Sequence, residues 1–195
     1  MRYEIKGNWN KGYVFDVHIV ASTYLGPDEH GRPQFDNTYS KMGELIHKLK
    51  YGGDKTAVPK IVRLLVRFLK EITGIENFDA IIPVPPSNKS RPFQPVDEIA
   101  KALGVQCDVK VLVGYFDKKA GGAELKNVGN PEEKIAALEG MIKIADNVDI
   151  SGKRVLLLDD LYDTGATLNA CCSVLQKNTK VDKVYVLTMT KTKRK

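Results

Sequence analysis

The stretch VLLLDDLYDTGATLNACCSVL, residues 155–175, constrains the fold more than any other part of the chain. Its opening Val155, Leu156, Leu157 and Leu158 are apolar without alternation, the pattern of a strand buried on both faces. Beyond the acids, Leu168, Cys171, Cys172 and Leu175 recur at i, i+3, i+4 and i+7, the spacing that seats one helix face against a sheet. A doubly buried strand running straight into such a helix belongs to an open α/β sheet. The intervening segment is then expected to be a loop at the strand's carboxyl end, the edge where such sheets bind ligands. Asp159, Asp160, Asp163, Thr164, Gly165, Ala166 and Thr167 are all placed there.

These residue types suit one chemistry. Gly165 lets the backbone approach a ligand closely, the free amides of the helix start favour an anion, and Thr164 and Thr167 add hydroxyl donors. That combination cradles a phosphate. Carboxylates would repel the same phosphate, so Asp159 and Asp160 are expected to accept hydrogen bonds from sugar hydroxyls, directly or through a hydrated Mg²⁺. A phosphate at one end and a diol at the other describe a ribose 5-phosphate.

Two other uses of a VLLLDD strand are not expected. No G-x-x-x-x-G-K-[ST] occurs, which removes P-loop ATPases, and a receiver domain would carry its acidic strand near its own start, with far more chain after it than follows Leu158 here. Simple helix capping by Asp163-Thr164-Gly165 explains neither the paired acids nor the two threonines.

The rest of the chain alternates strands and helices. Residues 13–25 are rich in aromatic and β-branched types and precede the turn-forming GPDEHGRP, so they predict an early strand or hairpin. Met42, Leu45, Ile46 and Leu49 have helical spacing, with Gly52-Gly53 as the stop. A second helix starts near Thr56, carries Pro59 in its first turn, and is apolar enough over residues 61–69 to be expected buried on most sides. Residues 78–82 predict a short buried strand ended by prolines, followed by the loop PSNKSRPF and a helix over 95–103. A strand within 109–113 leads into residues 114–129, rich in Gly, Lys and Asn, which predict a mobile loop. Helix 131–138 and strands at 141–144, 155–158 and 183–187, with helix 166–176 between the last two, complete a mostly parallel α/β sheet. Residues 1–40 are expected to form a small N-terminal hood or hairpin, and residues 41–195 the core domain.

A chain of 195 residues with 43% hydrophobic content buries one core. No apolar run is long enough for a membrane span and the N-terminus lacks the apolar centre of a signal peptide, so a cytoplasmic location is expected. Cys107, Cys171 and Cys172 form no Cys-x-x-Cys pair and His18, His30 and His47 are scattered, so reduced thiols and no structural metal are expected. The net charge of +6 and the final TKTKRK suit an anionic partner, either nucleic acid or a small phosphorylated substrate, or else a plain solvated tail.

The stretch VLLLDDLYDTGAT resembles the phosphoribosyl pyrophosphate (PRPP) motif of type I phosphoribosyltransferases. ELIHKLKYGGDK from Glu44, IIPVPPSNKSRPF from Ile81 and KNVGNPEEKIAALEG from Lys126 resemble, in the same order, segments of the ComF-like, competence-associated branch. The resemblance implies the type I phosphoribosyltransferase fold and a 5-phosphate held by Asp163, Thr164, Gly165, Ala166 and Thr167, with the ribose hydroxyls at Asp159 and Asp160. It further implies a pyrophosphate loop of Ser87, Asn88, Lys89 and Arg91, and a flexible cover whose Lys118, Lys119 and Lys126 reach the pyrophosphate. Mg²⁺ would bridge diol and pyrophosphate, with Asp159 and Asp160 its candidate ligands, directly or through water.

The implied reaction transfers the 5-phosphoribosyl group to a nitrogenous acceptor and releases pyrophosphate. Asp163, where many ComF-like chains have threonine, resembles the aspartate that assists proton transfer in purine-salvage members. The branch's paired-cysteine zinc ribbon is missing, which leaves residues 1–40 as the expected hood, where Trp9, Tyr13 and Phe15 either pack a hairpin or stack on an aromatic acceptor. The alternative implied by the branch is a non-catalytic PRPP-binding or single-stranded-DNA-binding accessory protein of the DNA-uptake machinery. The apolar helix at residues 61–69 is open to two readings, contact with a second copy in a homodimer or burial against the chain's own sheet.

Overall fold

The computed structural model describes residues 3–75, 77–119 and 130–193. Strands β1 (Tyr3–Glu4) and β2 (Lys11–Val17) come first, then β3 (Ile19–Pro27), β4 (Pro33–Tyr39), helix α1 (Lys41–Gly52), α2 (Ala57–Glu71), β5 (Ala80–Pro83) and α3 (Pro95–Cys107). The second half contains β6 (Lys110–Val111), β7 (Phe116–Lys118), α4 (Pro131–Met141), β8 (Ile142–Ile144), β9 (Arg154–Tyr162), α5 (Ala166–Asn178) and β10 (Lys183–Lys191).

Six strands form the main sheet in the order β1-β2-β10-β9-β5-β6, parallel throughout except for β1. Its centre is β9, and the apolar run predicted to be buried on both faces is so buried: Val155, Leu156, Leu157 and Leu158 are all fully enclosed. Successive side chains of a strand point to opposite faces. Val155 and Leu157 therefore join Val184, Val186, Leu168 and Cys171 in one core, while Leu156 and Leu158 join Tyr185, Leu187, Met42, Ile46, Ile61 and Ile99 in the other. The three cysteines are free thiols, and burial pushes that of Cys172 up to about 12.

Several expectations are corrected. Both β9 and β10 run four residues beyond their predicted ends, because the β-branched Thr188 and Thr190 of β10 continue the ladder opposite Asp159 and Leu161. The acidic pair therefore lies within the strand and not in the loop after it. Helix α2 is buried along one face only, through Ala57, Ile61, Val62, Leu65 and Phe68, because Arg63, Arg67 and Lys70 recur on the opposite face.

Residues 13–25 divide at His18. β2 joins the main sheet beside β10, and β3 turns away to pair with β4 as a two-stranded hairpin around the turn organised by Asp28, whose carboxylate accepts from the amides of His30 and Arg32. Of the strands in residues 3–40, β3 and β4 stand apart from the main sheet, as the β7–β8 pair does later in the chain. Trp9 and Tyr13 are buried, with the Trp9 ring nitrogen donating to the carbonyl of Ile5 and the Tyr13 hydroxyl to that of Thr73, while Phe15 packs edge-on against Phe68. All three are packing residues and none lines the cleft. Among residues 114–119 of the predicted mobile loop, Phe116–Lys118 form a strand paired with β8, and Tyr115 and Phe116 are buried.

Candidate functional site

The parity of β9 decides what each acid meets. Asp160 points to the α1 side and Asp159 to the α5 side, since Leu158 and Leu157 before them do the same. The Asp160 carboxylate accepts from Lys50 Nζ at 2.5 Å, with 20% and 12% of the lysine and aspartate side chains exposed. Its backbone is tied down too, the amide donating to Asp159 Oδ1 (2.8 Å) and the carbonyl accepting from Thr190 Oγ1 (2.8 Å). Lys50 is held in reach by the ends of α1. Ser40 caps the start, accepting from the Gly43 amide while donating to the Val17 carbonyl, and left-handed Gly53 (φ 67°) closes the end on Lys48 O. A side chain on Gly43 would collide with the His18 carbonyl, so only glycine lets α1 lie this close.

Asp159 reaches solvent at the cleft but is otherwise surrounded by protein. Burial foremost, then the Asp160 charge, pushes its carboxyl up to about 7, opposed by the Asp160 amide and by Lys50 and Lys118. Lys118, buried in β7, has its own pKa lowered by burial, and its ammonium donates to Ser87 Oγ at 3.4 Å.

Two adjoining hollows open beside these acids. The smaller, of 160 Å³, is bounded by Asp159, Asp163, Thr164, Gly165, Ala166 and Thr167, with Lys134 of α4 across from them. Its shape comes from the start of α5, where Gly165 is left-handed (φ 75°) and a Cβ there would lie 2.8 Å from the Tyr162 ring. Thr164 Oγ1 accepts from the Ala166 amide, and Asp163 is steadied by the Thr192 hydroxyl at 2.9 Å. The larger hollow, of 260 Å³, is bounded by Asp159, Asp160 and Thr167 on one side, by Ser87, Asn88 and Arg91 of the loop after β5 on another, and by Lys50 and Asp97. Burial raises the pKa of Asp97.

Most residues singled out from the sequence thus come together. Asp159, Asp160, Asp163, Thr164, Gly165, Ala166, Thr167, Ser87, Asn88 and Arg91 line one or both hollows, with Asp159 and Thr167 common to the two. Lys89 does not join them, because its ammonium pairs with Asp117 at 2.7 Å. Lys119 is exposed beyond β7, and Lys126 lies outside the described residues. Sequence reasoning missed Lys50, Asp97 and Lys134. Lys50 and Lys134 both fall within the quoted segments ELIHKLKYGGDK and KNVGNPEEKIAALEG, and that is the signal by which they were open to discovery.

The phosphoribosyl transferase domain family matches residues 56–193. The chain belongs to the phosphoribosyltransferase family. Its parallel sheet with helices on both faces is the α/β type I phosphoribosyltransferase fold expected from the sequence.

Similar solved structures include adenine phosphoribosyltransferase from Thermoanaerobacter pseudethanolicus (14% identity, 87% of this chain and 95% of that chain, TM-score 0.46). Purine phosphoribosyltransferase from Pyrococcus horikoshii is similar at 20% identity over 69% and 82% of the two chains (TM-score 0.44). A hypoxanthine phosphoribosyltransferase from Staphylococcus aureus is similar at 18% identity over 67% of this chain, with TM-score 0.41, and the match spans 61% of that enzyme's chain, less than two thirds of it. No curated protein matches the chain. Among the described residues no helix is long and apolar enough to cross a membrane.

Proposed function

We propose that the chain binds PRPP across the two hollows and transfers its 5-phosphoribosyl group to a nitrogenous acceptor, as a ComF-like member of its family with a role in nucleotide metabolism. The observation that carries this is the continuity of the hollows through Asp159 and Thr167: a pocket of amides and hydroxyls on one side of a carboxylate and a pocket holding Arg91 and Lys50 on the other. The 5-phosphate is assigned to Thr164, Gly165, Ala166 and Thr167, the ribose hydroxyls to Asp159 and Asp160, and the pyrophosphate to Ser87, Asn88 and Arg91. Lys118, fixed beneath that loop by its contact with Ser87, serves as a standing cation there rather than as part of a moving cover.

In the reaction the bond from C1 to the pyrophosphate oxygen breaks and its electron pair leaves with pyrophosphate, while the acceptor nitrogen bonds to C1 and loses a proton. Positive charge near the leaving group lowers the barrier to that separation. Asp163 is the candidate to take the proton, its carboxylate oriented by Thr192. Among the described residues no group of three or more ligating side chains stands together, so the donor set suits Mg²⁺ bound through one or two carboxylates and the substrate's own oxygens, not an all-protein cage. Asp159 and Asp160 would hold it, and when bound it neutralises charge on the departing pyrophosphate. The β3–β4 hairpin is the proposed hood on the acceptor side. At its base, His18 Nδ1 lies 3.1 Å from the same Thr190 hydroxyl that supports Asp160.

The test is pyrophosphate release from PRPP with Mg²⁺, assayed across nucleobases and simple amines. Release that depends on one acceptor, and that falls about 100-fold or more in Asp163→Asn, is the expected outcome. Thermal stabilisation by PRPP without turnover on any acceptor would instead assign the chain a binding role.

A further inference from the structure

Lys50 comes from the last turn of α1, 110 residues before the acid it pairs with, and its ammonium borders the same hollow as Ser87, Asn88 and Arg91. Among the described residues the cations bordering that hollow are Lys50 and Arg91, and Lys89 of the same loop is turned to Asp117. An ion pair placed at the acid assigned to a ribose hydroxyl has a consequence. A sugar hydroxyl or a divalent cation arriving at Asp160 competes with Lys50 for the same carboxylate oxygens. A lysine on a flexible stem at the wall of the hollow then needs another anion, and it is better placed for this than an arginine would be, because its compact charge carries three rotatable donors and is not locked into a planar fork. The pyrophosphate over the Ser87 to Arg91 loop supplies that anion.

Resting on the PRPP reading, we infer that Lys50 is a substrate-contacting residue that exchanges Asp160 for the pyrophosphate group of PRPP when the sugar takes the carboxylate. Pairing with Lys50 neutralises Asp160 until a ligand takes that carboxylate. Ligand binding moves the positive charge to the leaving group and frees the acid for the diol.

The experiment is calorimetric titration, with Mg²⁺, of the wild-type chain, Lys50→Met and Lys50→Arg against PRPP, ribose 5-phosphate and inorganic pyrophosphate. Loss of one charge-assisted contact predicts that Lys50→Met binds PRPP and pyrophosphate about 10- to 100-fold more weakly. The same variant should bind ribose 5-phosphate as well as the wild type or better, since Asp160 is released, and Lys50→Arg should recover part of the loss.

Unchanged PRPP affinity in Lys50→Met, or an equal loss for ribose 5-phosphate, overturns the inference while leaving the PRPP site intact. A wild-type chain that binds neither PRPP nor ribose 5-phosphate overturns the PRPP reading itself. Should Lys50→Met fail to fold, the wild-type crystal structure with PRPP decides: Lys50 Nζ within hydrogen-bond distance of a pyrophosphate oxygen supports the exchange, and Lys50 still on Asp160 refutes it.

Discussion

The two hollows beside β9 are built in different ways. The smaller takes all but one of its bounding residues from a single run between Asp159 and Leu168, and its donors are backbone amides and hydroxyls fixed by the turn into α5. The larger draws on α1, the loop after β5, α3 and β9, and its polar groups are side chains already paired or crowded: Lys50 with Asp160, and Asp159 beside them. One is a rigid cradle set by local geometry; the other is an electrostatic balance set by packing. On the proposed function, a ligand would enter the first by filling it and the second by displacing an existing pair.

The cradle breaks most severely at Gly165. Gly165→Val places a Cβ against the Tyr162 ring and forces a positive φ on a β-branched residue, so ribose 5-phosphate affinity should fall more than ~100-fold with a stability loss of about 1–3 kcal/mol, read by titration and chemical denaturation. If the cradle tolerates that substitution, its rigidity is not what holds phosphate.

The balance in the larger hollow predicts opposite signs for two adjacent acids. Asp160→Ala leaves the partly buried Lys50 ammonium without its partner and should cost about 1–3 kcal/mol in denaturant unfolding. Asp159→Asn should do the reverse above neutrality. The Asp159 carboxyl titrates near 7 in the folded chain and near the ordinary 3.8 when unfolded, so its native environment favours the protonated form. That contribution is complete below about pH 4 and is lost as pH rises through about 7. At pH 8 the asparagine variant, which has no charge to bury, should be more stable than the wild type by about 1–2 kcal/mol, allowing for partial solvent access, with the difference vanishing near pH 4. Equal pH profiles for the two chains would show that Asp159 is not strained by its surroundings.

Lys89 marks the outer limit of the larger hollow. Its ion pair with Asp117 is exposed, so Lys89→Ala should leave PRPP affinity within about twofold, whereas Arg91→Ala should weaken pyrophosphate binding about tenfold or more. Comparable losses from both would mean that the loop rearranges on binding and that Lys89 leaves Asp117 for the ligand.

The difference between the hollows also explains what was legible in the chain before its structure. A run of four apolar residues, a glycine between threonines and a helical i, i+3, i+4, i+7 pattern are local statements, and each corresponds to one physical cause: double burial, a left-handed turn, and a helix face against a sheet. The strand, the turn and the helix were therefore readable, and Asp159 and residues 163–167 do border one hollow, while Asp160 turns to the other face. Trp9, Tyr13 and Phe15 stayed ambiguous because an aromatic that packs and an aromatic that stacks on a ligand look alike in a sequence; the neighbours Ile5, Thr73 and Phe68, two of them more than 50 positions away, separate the cases in favour of packing. Lys89 was ambiguous for the same reason, its contact with Asp117 being made across space.

The amino-acid order by itself determined that a doubly buried strand delivers two carboxylates and a glycine-threonine turn to one edge of a parallel sheet, since those features depend on contacts within about twenty residues. Tertiary structure alone decided that the two carboxylates part to opposite faces and that α1, brought close by Gly43 against His18, sets Lys50 on one of them. Charge pairing acts through distance in space, and chain separation carries no information about it until the sheet and its helices have packed.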